Sequence, residues 1–380
     1  MNRPSVLISG AGVGGPTLAY WLARHGFGVT VVERAGTPRS AGNPVDVRGP
    51  AVRVAEQMGV LPRLREAATG TTGLRFVDAA GRHTGRMDMR AIQRAGEFEL
   101  PRGDLASILF EASRDHAEFL IDDSVTALDQ DPHGVEVTFE RAEPRRFDLV
   151  VGADGLHSVT RRLAFGAEGR FVRHRGMYVA TMPLAGRAGP GSDVIMHNTP
   201  GKAVAVGPRP HGAFFLYRGP AEPGFDHRDT EQHKRLLTKA FADVSWRAPE
   251  LLRHVRAAED LYFDAVSQVD LPRWWDGRVA LLGDAASCVS LFGNGSTLAM
   301  AGAFTLAREL ADGGDDPRAA FARYETAHRR LTDPGVRNIR PASGFLVPAT
   351  RHGILARNAA TRLWPVVAVA ARLRRPHEPL

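Results

Sequence analysis

Three clusters of glycine and acid have the spacing of ligand-holding turns. The first is Gly10-Ala-Gly12-Val-Gly14-Gly15, set between a short apolar run, Ser5 to Ser9, and a helical pattern from Thr17 to His25. Gly10 permits a tight turn, Gly12 lets the backbone approach a pyrophosphate, and Gly15 allows close packing of helix on strand. The helix start then offers amide donors and a positive dipole end to phosphates. A second apolar run, Val29 to Val32, closes on Glu33, where a carboxylate accepts hydrogen bonds from ribose hydroxyls. Strand, turn, helix, strand and acid together specify a dinucleotide site without choosing between NAD and FAD.

The second cluster lies in DLVVGADGLHSVTRR, Asp148 to Arg162, where a strand ends on Gly152-Ala-Asp154-Gly155. A carboxylate there either belongs to a ligand crevice or caps the following helix, and both readings stand. The third follows the strand RVALL: Gly283-Asp284-Ala-Ala, then a loop with Gly293 and Gly295, then a helix. An acid and a bare helix start in succession can grip one ligand at two points.

The rest of the chain must carry these turns. Leu105 to Arg114 reads as a helix capped by Asp104. Ser124 to Leu128 and Val135 to Phe139 read as strands turned at His133 and Gly134. From about 170 to 270 the β-prone stretches Met177 to Met182, Ala203 to Val206 and Ala213 to Tyr217 alternate with turns rich in proline and glycine. One helix, Thr230 to Asp243, interrupts them. This predicts a mostly antiparallel sheet inserted as a second domain, after which the chain returns at Arg278 and ends in helices. A chain of 380 residues can bury the cores that two such domains need.

Composition narrows the partners. The formal charge of +7 comes almost wholly from arginine, with lysine only at 202, 234 and 239. The arginines are dispersed and no basic run carries interleaved aromatics, so no nucleic-acid partner is expected. The single cysteine, Cys288, reads as a packing residue; it excludes an internal disulfide and Cys-rich metal sites, and fits a reducing compartment. No histidine or carboxylate cluster has metal-ligand spacing, so no metal is expected. The apolar run at the N-terminus is too short for a signal sequence, and no run of roughly 18 apolar residues marks a membrane span. A soluble cytoplasmic protein without stable membrane association is expected.

The DG segment, Gly152-Ala153-Asp154-Gly155 with Ser158 and Arg161, strongly resembles the signature of the flavin-dependent aromatic hydroxylases. These are the single-component FAD monooxygenases of the p-hydroxybenzoate hydroxylase fold. Gly283-Asp284-Ala-Ala resembles that family's GD motif, and the resemblance covers nearly the whole chain. It implies an α/β architecture: a Rossmann-like FAD-binding domain with a parallel sheet, an inserted mostly antiparallel substrate domain, and C-terminal helices. The implied boundaries are 1–170 for the first part of the FAD domain, 171–275 for the substrate sheet, and 276–380 for the return and the C-terminal helices. The basic amphipathic stretch from Arg351 to Arg375 is expected to pack over the FAD domain.

By the same resemblance the cofactor is FAD, with NADPH or NADH as a transient electron donor. Gly10, Gly12, Gly14, Gly15 and Glu33 would hold the dinucleotide, with Arg34 on its adenosine side. Arg102 resembles the family's arginine near the ribityl and phosphate region. Asp154 belongs to the segment that helps hold FAD near the route of NAD(P)H, and Asp284 would hold the ribityl chain. The amides around Gly293, Gly295 and Ser296 would face the flavin's N1–C2=O edge, and Asp46 resembles an acid near the flavin in tetracycline-modifying members. The implied reaction is monooxygenation of an aromatic, polyketide-like or antibiotic-like small molecule by O2 through a flavin C4a-hydroperoxide. A same-fold reductase or halogenase-like enzyme, or a non-catalytic flavin-binding relative, is the alternative. Met177, Met196, His197, Phe214, Phe215, Tyr217 and Phe292 are candidate pocket residues, with ordinary sheet core as the competing reading for each. No dedicated protein base is implied, and a monomer or homodimer is expected.

The chain departs from the family pattern around 287–297. Ser287 stands where His is common, no proline lies between Ala286 and Gly293, and Asn294 replaces a common Gln.

Overall fold

Both faces of the first strand are covered, which is why its centre, Val6-Leu7-Ile8, is an unbroken apolar run rather than an alternating one. The computed structural model describes residues 3–36, 44–90, 96–184, 192–208, 212–288, 294–314, 316–337 and 339–362. The chain opens with β1 (Ser5–Ser9), α1 (Gly14–Arg24) and β2 (Gly28–Glu33), a βαβ unit. It continues through β3 (Val45–Val47), α2 (Pro50–Gln57), α3 (Leu61–Glu66), β4 (Gly73–Val77), β5 (His83–Asp88), β6 (Phe98–Leu100) and α4 (Arg102–Ser113). Next come β7 (Glu118–Ile121), the meander β8 (Val125–Asp131), β9 (Gly134–Phe139) and β10 (Arg145–Phe147), then β11 (Leu149–Gly152) and α5 (Val159–Phe165).

The inserted part contains β12 (Val172–Met182), β13 (Asp193–Thr199), β14 (Lys202–Val206), β15 (Ala213–Arg218), α6 (Thr230–Phe241), α7 (Ala248–Ala257) and β16 (Tyr262–Val269). The chain returns through β17 (Trp275–Asp276) and β18 (Val279–Leu281), and finishes in α8 (Gly295–Asp312), α9 (Pro317–Arg337), α10 (Ile339–Leu346) and α11 (Arg351–Arg362).

The first sheet has the order β17-β18-β11-β1-β2-β7, parallel except at the β17 edge. Its core joins Val6, Ile8, Leu18 and Leu22 from the start of the chain to Leu281, Ala303 and Phe321 from the end. The second sheet has the order β16-β12-β15-β14-β13-β4-β5 and is antiparallel except where β13 runs parallel to β4. It therefore draws β4 and β5 from the stretch assigned by sequence to the first domain.

Helices α6 and α7 cover one face of the second sheet. Leu237, Phe241, Leu251 and Val255 pack there against Ala180, Val204, Phe215 and Phe263, each large apolar side chain contributing about 1.5–3 kcal/mol. Only α6 was expected. Helix α7 carries Pro249 in its first turn, where its missing N–H costs nothing, and that start signal stands in the sequence.

The C-terminal stretch departs from expectation. Helix α11 lies on the edge of the second sheet, not over the FAD domain. The Arg357 guanidinium sits 3.5 Å from the Phe76 ring centre and donates to Asn198 Oδ1 at 2.8 Å. Residues 363–380, which complete the amphipathic stretch, lie outside the described residues.

Candidate active site

The three glycine turns leave the sheet side by side. Ser9 pairs with Gly152, and Gly152 pairs with Leu281, so β1, β11 and β18 end in one row and their turns begin in the next. The chain stitches across that row: Ala153 N–H donates to Ser9 O at 2.8 Å, Leu282 N–H to Gly152 O at 2.8 Å, and Gly10 N–H to Val32 O at 2.7 Å. Gly10 adopts φ +106°, and a Cβ there would lie 2.6 Å from the Ala153 oxygen. A Cβ on Gly14 would touch Leu282 at 3.3 Å and Ala299 at 3.7 Å, so the first and third turns are in contact. Gly12 is different: a Cβ there would meet nothing within 4 Å.

The helix starts differ in the same way. Helices α5 and α6 are capped by Ser158 and Asp229 side chains. Helices α1 and α8 have no side-chain cap and no acid in the first turn, so their leading N–H groups remain for an anion or an electron-rich ring edge. Asn294 enters α8 in the left-handed region at φ +51°. Phe292 and Gly293 lie outside the described residues.

Around these turns the predicted acids occupy distinct places. Asp284 sits at the start of α8, its Oδ1 3.3 Å from where a Gly295 Cβ would be. Burial raises its pKa, against the charge of Arg102 and a hydrogen bond from Cys288. Arg102 is the exposed first residue of α4. The Asp46 carbonyl accepts from Ser296 at 2.7 Å and Thr297 at 3.0 Å, which pins β3 to the start of α8. Its carboxylate pairs with Arg48 at 2.9 Å, and burial raises its pKa more than Arg48 lowers it.

Glu33 accepts from Ala11 N–H at 2.7 Å and Ala35 N–H at 2.8 Å, bracing the first turn, with exposed Arg34 beside it. Asp154 is occupied by the chain itself. It accepts from Ser158 and, at 2.9 Å and 3.0 Å, from the amide and hydroxyl of Thr160, bracing the start of α5.

The predicted pocket residues divide between the two faces of the second sheet. Met177, Met196 and Phe214 share a face with Tyr262 and are partly roofed by Phe345 and Leu346. Phe215 and Tyr217 point the other way, into the core beneath α6 and α7. His197 lies beside Trp246 of that core, 6.1 Å between rings, with Nδ1 on Val77 O at 3.1 Å. For these three the core reading describes their place, because strand alternation turns them from the face that Tyr262 marks.

Tyr262 was not singled out from sequence. Burial raises its pKa first, and the charges of Asp264, Arg102, Cys288 and Asp284 act on it as well, which places its face of the sheet against the third turn. The alternation in YFDAVSQV was the signal available for its strand.

This arrangement is an α/β fold in which three glycine turns leave adjacent ends of a parallel sheet, with a second, mostly antiparallel sheet beside it. The sequence pattern of the family described as "FAD binding domain" matches residues 3–333, and the chain belongs to that family. It is 33% identical over 335 residues to a flavin-dependent monooxygenase of Legionella longbeachae, covering 86% of each chain. Its fold matches the crystal structure of tetracycline destructase Tet(51) with a TM-score of 0.82 at 28% identity, over 100% of both chains. The fold of Klebsiella pneumoniae HpxO complexed with FAD and uric acid matches with a TM-score of 0.74 at 22% identity, over 97% of this chain and 95% of that one. The protein is an FAD-dependent monooxygenase of the aromatic-hydroxylase type. Its residues fit the cofactor: open space at Gly12, uncapped starts of α1 and α8, and Asp284 and Arg102 beside the latter.

Proposed function

We propose that this monooxygenase consumes NADH or NADPH and inserts one oxygen atom of O2 into an aromatic or polyketide-like small molecule. The observation that carries the reading is the position of Tyr262. Its charge environment includes Asp284 and Arg102, while its strand forms one apolar face with Met177, Met196 and Phe214. Bound FAD supplies the chemistry, taking two electrons from the nicotinamide and activating O2, with the second oxygen leaving as water.

The protein's share is placement. Gly10, Gly12, Gly14 and Gly15 with the start of α1 hold the diphosphate, and Glu33 and Arg34 the adenosine side. Asp284 and Arg102 hold the ribityl region. The start of α8, at Gly295 and Ser296, faces the ring edge where negative charge accumulates on reduction. Asp154 contributes by keeping the second turn in shape, and Asp46 by fixing β3 on α8. The sheet face with Met177, Met196 and Phe214 excludes water and orients an apolar polycyclic substrate. A cytoplasmic setting, where reduced nicotinamide is available, suits this reaction.

The test is a screen of tetracycline, phenolic acids and polyketide aglycones for compounds that accelerate flavin bleaching by NADPH or NADH. Product mass is then measured under 18O2. A gain of one labelled oxygen supports the proposal. Bleaching without any oxygenated product from any compound favours the reductase-like alternative and refutes oxygen insertion.

A further inference from the structure

The second glycine turn is tied to the second sheet by a histidine that the proposed reaction does not use. We propose that His157, held between Asp264 and Glu168, is a positioning residue that latches the turn after β11 to strand β16. It thereby sets the substrate face against the flavin site. This rests on the monooxygenase reading above.

His157 Nε2 lies 3.1 Å from an Asp264 oxygen, and Nδ1 lies 3.0 Å from Glu168 Oε1. Two carboxylates on one ring require both nitrogens to donate, which is the imidazolium form. The three residues come from three places: His157 follows the Asp154–Gly155 turn, Glu168 begins a short helical turn, and Asp264 stands two residues after Tyr262 on β16. Asp264 therefore shares the sheet face of Tyr262. Movement of His157 would be transmitted to both the second glycine turn and that face.

A fourth residue closes the cluster. The His227 ring, from the loop between β15 and α6, stacks on His157 with centroids 3.8 Å apart and planes 7° apart. Two stacked cations would repel, so the stack requires one neutral ring. Burial lowers the pKa of His157, but Asp264 and Glu168 outweigh it and hold the value at about 9. Burial and the charge of His157 push His227 down to about 4. Arg161 lies 3.7 Å from Glu168, while Arg228 acts on His227, whose Nδ1 also lies 4.0 Å from Asp226. Loss of the His157 proton removes the charge that Asp264 and Glu168 both contact and takes one donor from the latch.

The sign is fixed by these values. A folded-state pKa of about 9, above the ordinary 6.5, stabilises the latched form fully below about pH 6.5 and progressively less as pH rises through 9. FAD affinity is measured by flavin fluorescence on wild type, His157→Gln and Asp264→Asn between about pH 7 and about pH 10, with thermal unfolding in parallel. In wild type the FAD dissociation constant is expected to rise about ten-fold with a midpoint near 9. His157→Gln should bind FAD about ten-fold more weakly at neutral pH and lack that midpoint, and Asp264→Asn should move it downward. His227→Phe keeps the stack and should retain the midpoint. A wild-type profile that is flat across the range, or a His157→Gln profile with the midpoint intact, overturns the latch while leaving FAD binding standing. A chain that takes up no FAD at any pH overturns both.

Discussion

Arg161 donates to the carbonyl of Ala285 across 124 positions of sequence, at 3.1 Å. Its other terminal nitrogen donates to Leu156 O at 2.6 Å. Leu156 belongs to the second glycine turn and Ala285 to the third, so one fully buried guanidinium joins two of the three turns. A planar fork with several donors suits this role where an ammonium would reach only one carbonyl.

Replacing Arg161 by Met should therefore loosen the FAD site and the fold together. Hydrogen bonds from a charged donor contribute about 1.5–3 kcal/mol each, so a loss of about 3 kcal/mol in denaturant unfolding is expected. FAD affinity should fall at least about ten-fold. Arg161→Lys should recover part of the stability by satisfying one carbonyl. A Met variant that binds FAD like wild type would show that the turns are held without this bridge.

Gly12 and Gly15 lie three residues apart yet should fail differently. A Cβ on Gly15 would stand 1.9 Å from the Gly10 oxygen, an overlap that only backbone movement relieves. Gly15→Ala is expected to yield little folded protein. Gly12→Ala meets no atom, so it should melt within a few degrees of wild type and yet bind FAD more than about ten-fold more weakly. Calorimetry with and without FAD separates the two. Equal affinity in Gly12→Ala and wild type would mean that the cofactor does not approach there.

Phe214 and Phe215 offer the same contrast on the second sheet. Phe215 is fully buried under α6, 5.1 Å from the Phe241 ring. Phe215→Ala should cost about 3–5 kcal/mol whatever compound is offered. Phe214 faces the other way with Met196 and Tyr262. Phe214→Ala should cost less stability and change which compounds accelerate flavin reduction. If the two variants have the same compound preferences, the substrate does not lie on the face of Met177 and Met196.

Glycine chemistry made the first sheet readable in sequence. Only glycine tolerates φ +106° at Gly10 or the contact at Gly15, and such demands leave a local signature. The second sheet is held by long-range pairing, and one residue of register decides which face a side chain takes. Phe214 and Phe215 are therefore indistinguishable as letters. Met196 and His197 are neighbours too, and their partners on β4, Phe76 and Val77, come from a segment 120 positions earlier. Nor did any motif announce that Asp154 would spend its oxygens on Ser158 and Thr160, because a cap and a ligand-holding acid look alike at a strand end. The position of α11 depended on Arg357 finding Phe76, a contact without local pattern.

Stability should also fall in mild acid, and His328 is one cause. Its ring stacks on Tyr324 at 5.7 Å and meets Trp274 edge-on at 6.0 Å, inside the contact of α9 with α8. Gly302 leaves the room it needs, since a Cβ there would stand 2.8 Å from Nε2. Burial lowers the pKa of His328 from 6.5 to about 4, against a backbone hydrogen bond at Leu298. The unfolded chain therefore binds a proton in a range where the folded chain does not. Stability conferred by the neutral ring is complete above about pH 6.5 and is lost as pH falls towards 4. The full difference corresponds to about 3 kcal/mol. His328→Phe keeps the ring and removes the titration, at a cost of about 1 kcal/mol at neutral pH for the missing hydrogen bond. His227 also titrates in this range and acts in the same direction, so the informative quantity is the difference between variant and wild type. In urea unfolding, His328→Phe should start below wild type at pH 7 and gain on it steadily as the pH is lowered. Parallel curves for the two proteins would show that His328 accepts its proton as readily in the folded chain as in the unfolded one.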